Sequence, residues 1–464
     1  MKGDKSMKTF VQLVAAGVVT LHAAGALAAI TAEEAKQLGT TLTIFGAEKA
    51  ASSDGSIPEY KGGLTKGPAD FVPNSGTWPD PFKNDKPIRS INSANMAQYA
   101  DQLTPGVQAL LKRFPEFRLD VYPTRRTMHY PQWVLDNTLK NATSANLVGK
   151  VEGDGVEGAF GGIPFPIPKS GYEVMWNAQL GYRRTQYEAK NVGAYLVDSS
   201  GGRTELPIMN VIEYKPYYDQ ALAGGKFKGP QDRMWMTMLT PATQAGAANL
   251  VDYSMNYSET DQVSWAYFPA QRRVRMAPDY KYDTPTAAYG GALFWDEAKL
   301  FAGRMDRFDF KLIGKKEMYV PYNNYAYSQL PVDDVYGQKH IKPEALRWEK
   351  HRVWVVEATL KPDARHAYSK RVFFVDEDSW TLMEADGYGH DGKLWRVGLD
   401  YPINYYDGVG GVFISANTFY DLQKGNYFSY FTTSSRGKPE LRVAEKLEKP
   451  NLFTPAGMAG TGLR

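Results

Sequence analysis

The chain has no cysteine in 464 residues. That excludes a disulfide framework, a thiol nucleophile, a thiolate zinc site and an iron–sulfur cluster. It also excludes a lipid anchor attached through a cysteine at a cleavage site. A chain of this length buries enough surface to fold without cross-links. Net charge is small, +3, so nothing global draws the chain to nucleic acid or to an anionic membrane, and no nucleic-acid partner is expected. Past the N-terminus no stretch approaches the ~20 apolar residues of a membrane helix. Histidine is scarce, with six residues. The G-x-S-x-G elbow, H-E-x-x-H, the phosphate-binding P-loop and the EF-hand loop are all missing. The expectation is a non-enzyme with no catalytic residue, no metal and no cofactor.

The N-terminus carries what the rest lacks. Lys2, Lys5 and Lys8 precede an apolar run over residues 10–27, broken by Gln12, Thr20 and His22. The run ends in Ala26-Leu27-Ala28, a small-x-small cleavage pattern. Residues 1–28 are expected to be a secretory signal peptide, with Met7 a second plausible start and the mature chain beginning at Ala29 or Ile30. The competing reading is a membrane anchor; the run is short for a span and no stop-transfer charges follow it. Export to the periplasm is the expected destination. Removing residues 1–28 takes away Lys2, Lys5, Lys8 and Asp4, which leaves 51 basic against 50 acidic residues.

Two styles of sequence meet near residue 180. Residues 29–180 are rich in loops and short helices, and residues 46–87 are dense in Gly, Pro, Asp and Lys, which reads as an extended segment laid over a surface. Ser93 is placed to cap a helix through Leu103. Thr104-Pro105 supplies a cap and an N1 proline for a helix that Pro115 stops, Pro131 opens a third and Ser170 caps a fourth. Residues 181–464 are strand-like. Residues 352–360 (RVWVVEATL) put Trp354, Val356, Ala358 and Leu360 on one face, and residues 393–401 put Trp395, Val397 and Leu399 on one face. Residues 370–376, 380–388 and 412–422 continue an antiparallel meander, and residues 192–197 and 206–212 form an earlier hairpin. We expect Trp354, Val356, Phe373, Trp395 and Val397 on the concave side of one sheet, and the two regions as one compact unit.

Several patterns carry a functional and a structural meaning. Gly153, Gly155 and Gly158 spell G-x-G-x-x-G, but three prolines follow where a helix would have to start, so a structural loop is expected. His340, His351, His366 and His390 sit in the strand-rich half without ligand spacing. Asp376, Glu377, Asp378, Glu384 and Asp386 could serve as paired acids; a solvated turn with cross-strand bridges to Arg371 or Lys393 is the expected use. Asn141 and Asn256 head sequons without further support. Residues 265–275 (WAYFPAQRRVR) join an aromatic strand, a proline break and a basic strand. Their arginines are either an open positive patch or partners of Asp279, Asp283 and Asp306.

Residues 38–49 (LGTTLTIFGAEK), 155–168 (GVEGAFGGIPFPIP), 272–275, 315–323 (KKEMYVPYN) and 351–360 (HRVWVVEATL) resemble the proteobacterial family catalogued as domain of unknown function 1329. That resemblance implies a β-rich α+β fold like the periplasmic lipoprotein carriers: a strongly curved antiparallel half-barrel with covering helices over an apolar cavity. It implies traffic of a hydrophobic or lipid-like cargo beside an RND-type inner-membrane exporter and an outer-membrane β-barrel. It carries no catalytic residue. Within that picture Trp265, Tyr267, Trp354, Val356 and Trp395 are the expected lining of the cargo site, with Arg272 and Arg273 at its mouth, since arginine suits a carboxylate or phosphate head group. The other reading is a structural or adaptor subunit of an envelope transport complex.

Overall fold

A computed structural model of the chain describes residues 30–73, 75–225 and 227–461. The expected signal peptide lies outside the described residues. One long strand, β1 (Gln186–Val197), belongs to two antiparallel runs. Its first half pairs with β2 (Met209–Tyr214), which continues through β3 (Pro230–Met238), β4 (Ala248–Ser254), β5 (Val263–Phe268) and β6 (Arg273–Met276). The second run is β7 (Phe308–Pro321), β8 (Trp348–Leu360), β9 (Lys370–Asp376), β10 (Leu382–Tyr388), β11 (Leu394–Asn404), β12 (Val412–Asp421) and β13 (Asn426–Thr432), and β13 closes on the second half of β1. β14 (Glu440–Ala444) pairs with the first half of β1. Asn191, at φ 57°, sits at the register shift where β1 changes neighbours. The 17-stranded sheet is mixed, because Leu119–Val121 meets β8 in parallel at Val121 and Trp348. It is open: among the described residues no pairing joins β6 to β7.

Alternation explains β8. Trp354, Val356, Ala358 and Leu360 pack into the main apolar cluster, while Val353 and Val355 join Met318, Val320 and Phe374 on the opposite face. Phe373 stands opposite Val356 in the main cluster. The expectation for β11 fails at its start. Trp395 packs into the main cluster with Phe294 and Tyr368, but Val397 and Leu399 pack on the other side with Leu110 and Leu111. The cause is a bulge. Gly387 pairs with Arg396 and Tyr388 with Leu394, so Trp395 is the extra residue and its side chain is turned out of phase.

Among the described residues three helices are nine residues or longer. α1 (Pro105–Arg113) is capped as expected: the Thr104 hydroxyl accepts from Val107 N and Pro105 stands at N1. α2 (Gln132–Ser144) starts after Pro131, and α3 (Gly171–Gln179) is capped by Ser170, whose hydroxyl accepts from Glu173 N. The expected Ser93-capped helix is instead a 3-10 segment, Met96–Gln102, preceded by Asn95. Asn95 folds its side chain back to accept from Asn92 N at 2.8 Å, which competes with capping. Residues from both sides of position 180 share the main cluster, Phe45 and Trp78 among them, and Trp380 Nε1 donates to Phe45 O at 2.9 Å. After Gly153–Gly158 no helix begins until Gly171, and a Cβ on Gly158 would stand 2.1 Å from Ser144 O, so the glycines serve close packing.

The acidic turn is not solvated. Asp376, Glu377 and Asp378 are all buried. Arg126 grips Asp378 with two bonds, 2.9 and 2.6 Å, and Lys315 reaches Glu377 at 2.7 Å. Arg371 is taken by Asp296 at 3.0 Å, and Lys393 lies 3.8 Å from Asp391. The basic residues that hold the turn come from far away in the chain, where cross-strand spacing has nothing to say. Burial pushes the Glu377 carboxyl up to about 7 against the pull of Lys315. Glu384 and Asp386 are buried beneath the start of α1: Thr104 Oγ1 donates to Glu384 at 2.7 Å and Gly106 N to Asp386 at 2.9 Å.

Candidate functional site

β2 and β3 build one wall of an apolar cavity of about 90 Å³. Met209, Val211 and Glu213 point to one side of β2 by strict alternation, and Met238, Met236 and Met234 stand directly opposite them on β3. The facing wall is the segment between Thr286 and Lys299, made of short 3-10 turns, with Tyr289, Leu293 and Trp295 turned to the cavity. Tyr430 and Phe431 of β13 complete it. Trp295 is braced from outside by a stacked Tyr280 at 4.6 Å. Tyr289 Oη donates to Met209 Sδ at 3.4 Å, and Tyr430 Oη accepts from Lys299 N at 3.0 Å. Unbranched thioether side chains pack without fixing a single shape, so this wall can adapt to what enters.

One end of the cavity is charged. Glu213 and Asp232 are clamped by two lysines: Lys215 lies 3.5 and 3.2 Å from them, and Lys299 binds Glu213 closely and Asp232 at 2.9 Å. The lysines hold Asp232 below the usual carboxylate range although burial works the other way. Burial pulls the Lys215 ammonium down. Thr286 Oγ1 and Glu213 Oε2 face the cavity without a hydrogen-bond partner among the described residues. Arg183 lines the same end and is 8% exposed. Its neighbour Arg184, at φ 74°, turns away to Asp407, to Glu445 at 2.5 Å and to Gly410 O at 2.6 Å.

The residues singled out in the sequence do not converge. Trp265 and Tyr267 belong to a separate cluster with Trp235, Leu250, Phe453 and Met458. Trp354 lies parallel to Trp380 at 6.2 Å with the Lys315 ammonium 4.6 Å above its ring, and Val356 is fully buried. Trp395 sits against Tyr368 at 5.3 Å. None of these five lines the methionine cavity. Arg272, at φ 49°, ends a 3-10 turn, and Arg273 is exposed on the outer strand β6. Neither has an ion pair among the described residues, since Asp283 is bound by Arg307 at 2.9 Å and Asp306 by Arg304 at 3.4 Å. The histidines are engaged locally: His366 donates to Asp296 at 2.9 Å, His351 to Glu349 at 3.1 Å, His390 to His366 O at 2.8 Å and His340 to Ile341 O at 2.8 Å. Among the described residues no group of three or more His, Cys, Asp or Glu could hold a metal ion. No helix there is long and apolar enough to cross a membrane. The cavity did leave a trace in the sequence: Met234, Met236 and Met238 alternate along β3.

A model of the family described as protein of unknown function (DUF1329) matches residues 90–459. The chain belongs to the DUF1329 family. The uncharacterized protein PA3922 of Pseudomonas aeruginosa is 37% identical over 442 residues, covering 91% of this chain and 93% of that one. A DUF1329 structure from Desulfovibrio piger aligns with a TM-score of 0.41 at 15% identity, over 62% of this chain and 97% of its own. The LolA superfamily protein NE2245 from Nitrosomonas europaea aligns with a TM-score of 0.35 at 12% identity, over 62% and 98%.

Proposed function

We propose that this DUF1329 protein is a non-enzymatic periplasmic carrier that shelters the apolar part of a small hydrophobic cargo in the methionine-lined cavity. The observation that carries the reading is that cavity: a largely apolar crevice between β2–β3 and the 286–299 segment, walled on one side by four methionines and charged only at one end. It takes the place of the set from Trp265 to Trp395 as the position assigned to cargo, because that set is spread over two clusters. The space of about 90 Å³ is smaller than the roughly 150 Å³ that admits benzene in an engineered cavity, so a chain enters as the methionine side chains give way, each methylene buried contributing about 0.8 kcal/mol before ordering costs. The exporter and outer-membrane β-barrel implied by the family resemblance are the partners this reading assigns.

The test is binding of a neutral, apolar fluorescent probe to the purified exported chain. Saturable binding is expected, lost in Val211→Phe, which fills the space, with the fold checked by near-ultraviolet circular dichroism. Met236→Phe is the second filling variant should the first fold poorly. Absence of saturable binding to the unaltered chain overturns the carrier reading and leaves the adaptor reading in its place.

A further inference from the structure

The polar end of the cavity holds a cation that the protein does not neutralise. Arg183 is 8% exposed and no hydrogen bond or ion pair engages it among the described residues, whereas Arg184 beside it makes three such contacts. An unpaired guanidinium away from bulk water is costly to keep, and structures rarely keep one without a use. The carboxylates nearby are already committed: Glu213 and Asp232 face Lys215 and Lys299. Asp400 accepts from Asn417 Nδ2 at 2.7 Å through Oδ1, and its Oδ2 has no hydrogen-bond partner among the described residues. Burial pushes the Asp400 carboxyl well above the usual range while Arg183 pulls it down, and no ion pair joins the two among the described residues. Glu213 Oε2 has no hydrogen-bond donor, but its charge is met by the two lysines. Arg183 lines both the methionine cavity and a smaller adjoining one that Gln179 and Gln231 also line, so its planar fork is open to an occupant.

We propose that Arg183 anchors a single oxyanion head group, carboxylate or phosphate, so that the cargo is a single-chain amphiphile with its head on Arg183 and its chain along Met209, Met234, Met236 and Met238. This rests on the carrier reading and names the class of its ligand. A space of about 90 Å³ leaves no room for two chains, and the unbranched methionines are the side chains that can give way to admit one.

The experiment is displacement of the neutral probe by four ligands with one twelve-carbon chain: dodecanoic acid, dodecyl phosphate, methyl dodecanoate and dodecanol. The expected result is that at least one anion displaces the probe at about tenfold lower concentration than the ester and the alcohol. Which anion does so separates the carboxylate from the phosphate source. Arg183→Met is expected to abolish that preference and to leave the ester unchanged. The same variant is expected to unfold at equal or higher urea concentration, because it removes an unpaired buried charge; a structural pairing with Asp400 would lower that concentration. Equal displacement by all four ligands overturns the anchor while the carrier reading stands, and so does a preference that survives in Arg183→Met. Failure of the neutral probe to bind at all is the separate failure of the carrier reading.

Discussion

Asp386 offers a quantitative check on how the sheet and α1 are joined. Its carboxyl is fully buried, accepts from Gly106 N at 2.9 Å, and keeps Oδ1 without a partner among the described residues. Two effects oppose each other there. The N-terminus of α1 favours a negative charge by roughly 1 kcal/mol, and burial disfavours it by more. Burial wins, and the carboxyl is pushed from 3.8 up to about 7. The folded state therefore holds a proton that the unfolded state releases near pH 4. The contribution is fully present below about pH 4 and is lost as pH rises through about 7. About three pH units at about 1.4 kcal/mol each make about 4 kcal/mol, with no discount for screening, since the group is out of solvent. Asp386→Asn removes the titration and keeps an oxygen for Gly106 N. Its amide nitrogen replaces an atom that had no partner, so the variant is expected to match the fully protonated parent within about 1 kcal/mol, which makes it the more stable by about 1.5 kcal/mol at pH 5, about one unit above the unfolded pKa. At pH 8 it is expected to be the more stable by about 4 kcal/mol. Urea unfolding followed by tryptophan fluorescence at both pH values measures this. A stability difference that does not change with pH refutes the argument, and so does a variant that is weaker at pH 8.

Three further outcomes follow from the buried contacts. Arg126→Met leaves Asp378 and Glu377 without their guanidinium and is expected to cost about 3–5 kcal/mol in urea unfolding; adding Asp378→Asn should restore part of it, and strict additivity would show that the pair is not coupled. Gly46→Ala would place a Cβ 1.8 Å from Pro166 O at a residue with φ 95°, so the yield of folded protein and its melting temperature should both fall sharply; an unchanged melting temperature would mean that the 46–166 contact is not made. Trp380→Phe withdraws the donor from Phe45 O and should cost about 1–3 kcal/mol; a cost near zero would place the N-terminal segment away from the sheet.

Much of the strand order was legible because its signals are local. The alternation of Trp354, Val356, Ala358 and Leu360 is a property of β8 alone, and the turns that follow it leave few ways to pair β9 to β13 other than in sequence order. Thr104-Pro105 and Ser170 announced α1 and α3 for the same reason. Errors began where a distant residue decides. The Asp376–Asp378 turn reads as solvated from its neighbours, and it takes distant residues, Arg126 at 252 positions from Asp378 and Lys315 beside Glu377, to make it a buried ionic cluster. Trp395 reads as in phase with Val397, and only the register against Gly387 and Tyr388 shows that it is the bulged residue.

The candidate site was harder to read for a related reason. Large aromatic residues attract attention as ligand contacts, yet here Trp354, Trp395 and Tyr267 fill the protein's own clusters, where their area is best used. A space for something else is left where side chains are unbranched and adaptable, and Met234, Met236 and Met238 mark it by alternation on a strand whose other face carries Trp235. Arg183 and Arg184 are indistinguishable in sequence. The backbone separates them: the left-handed turn at Arg184 sends that side chain to Asp407, Glu445 and Gly410, and leaves Arg183 at the cavity with nothing to hold. What singles out Arg183 as the proposed anchor is a charge to which the fold gives no ion pair among the described residues. That becomes visible only once every other charge around the cavity has been assigned a partner.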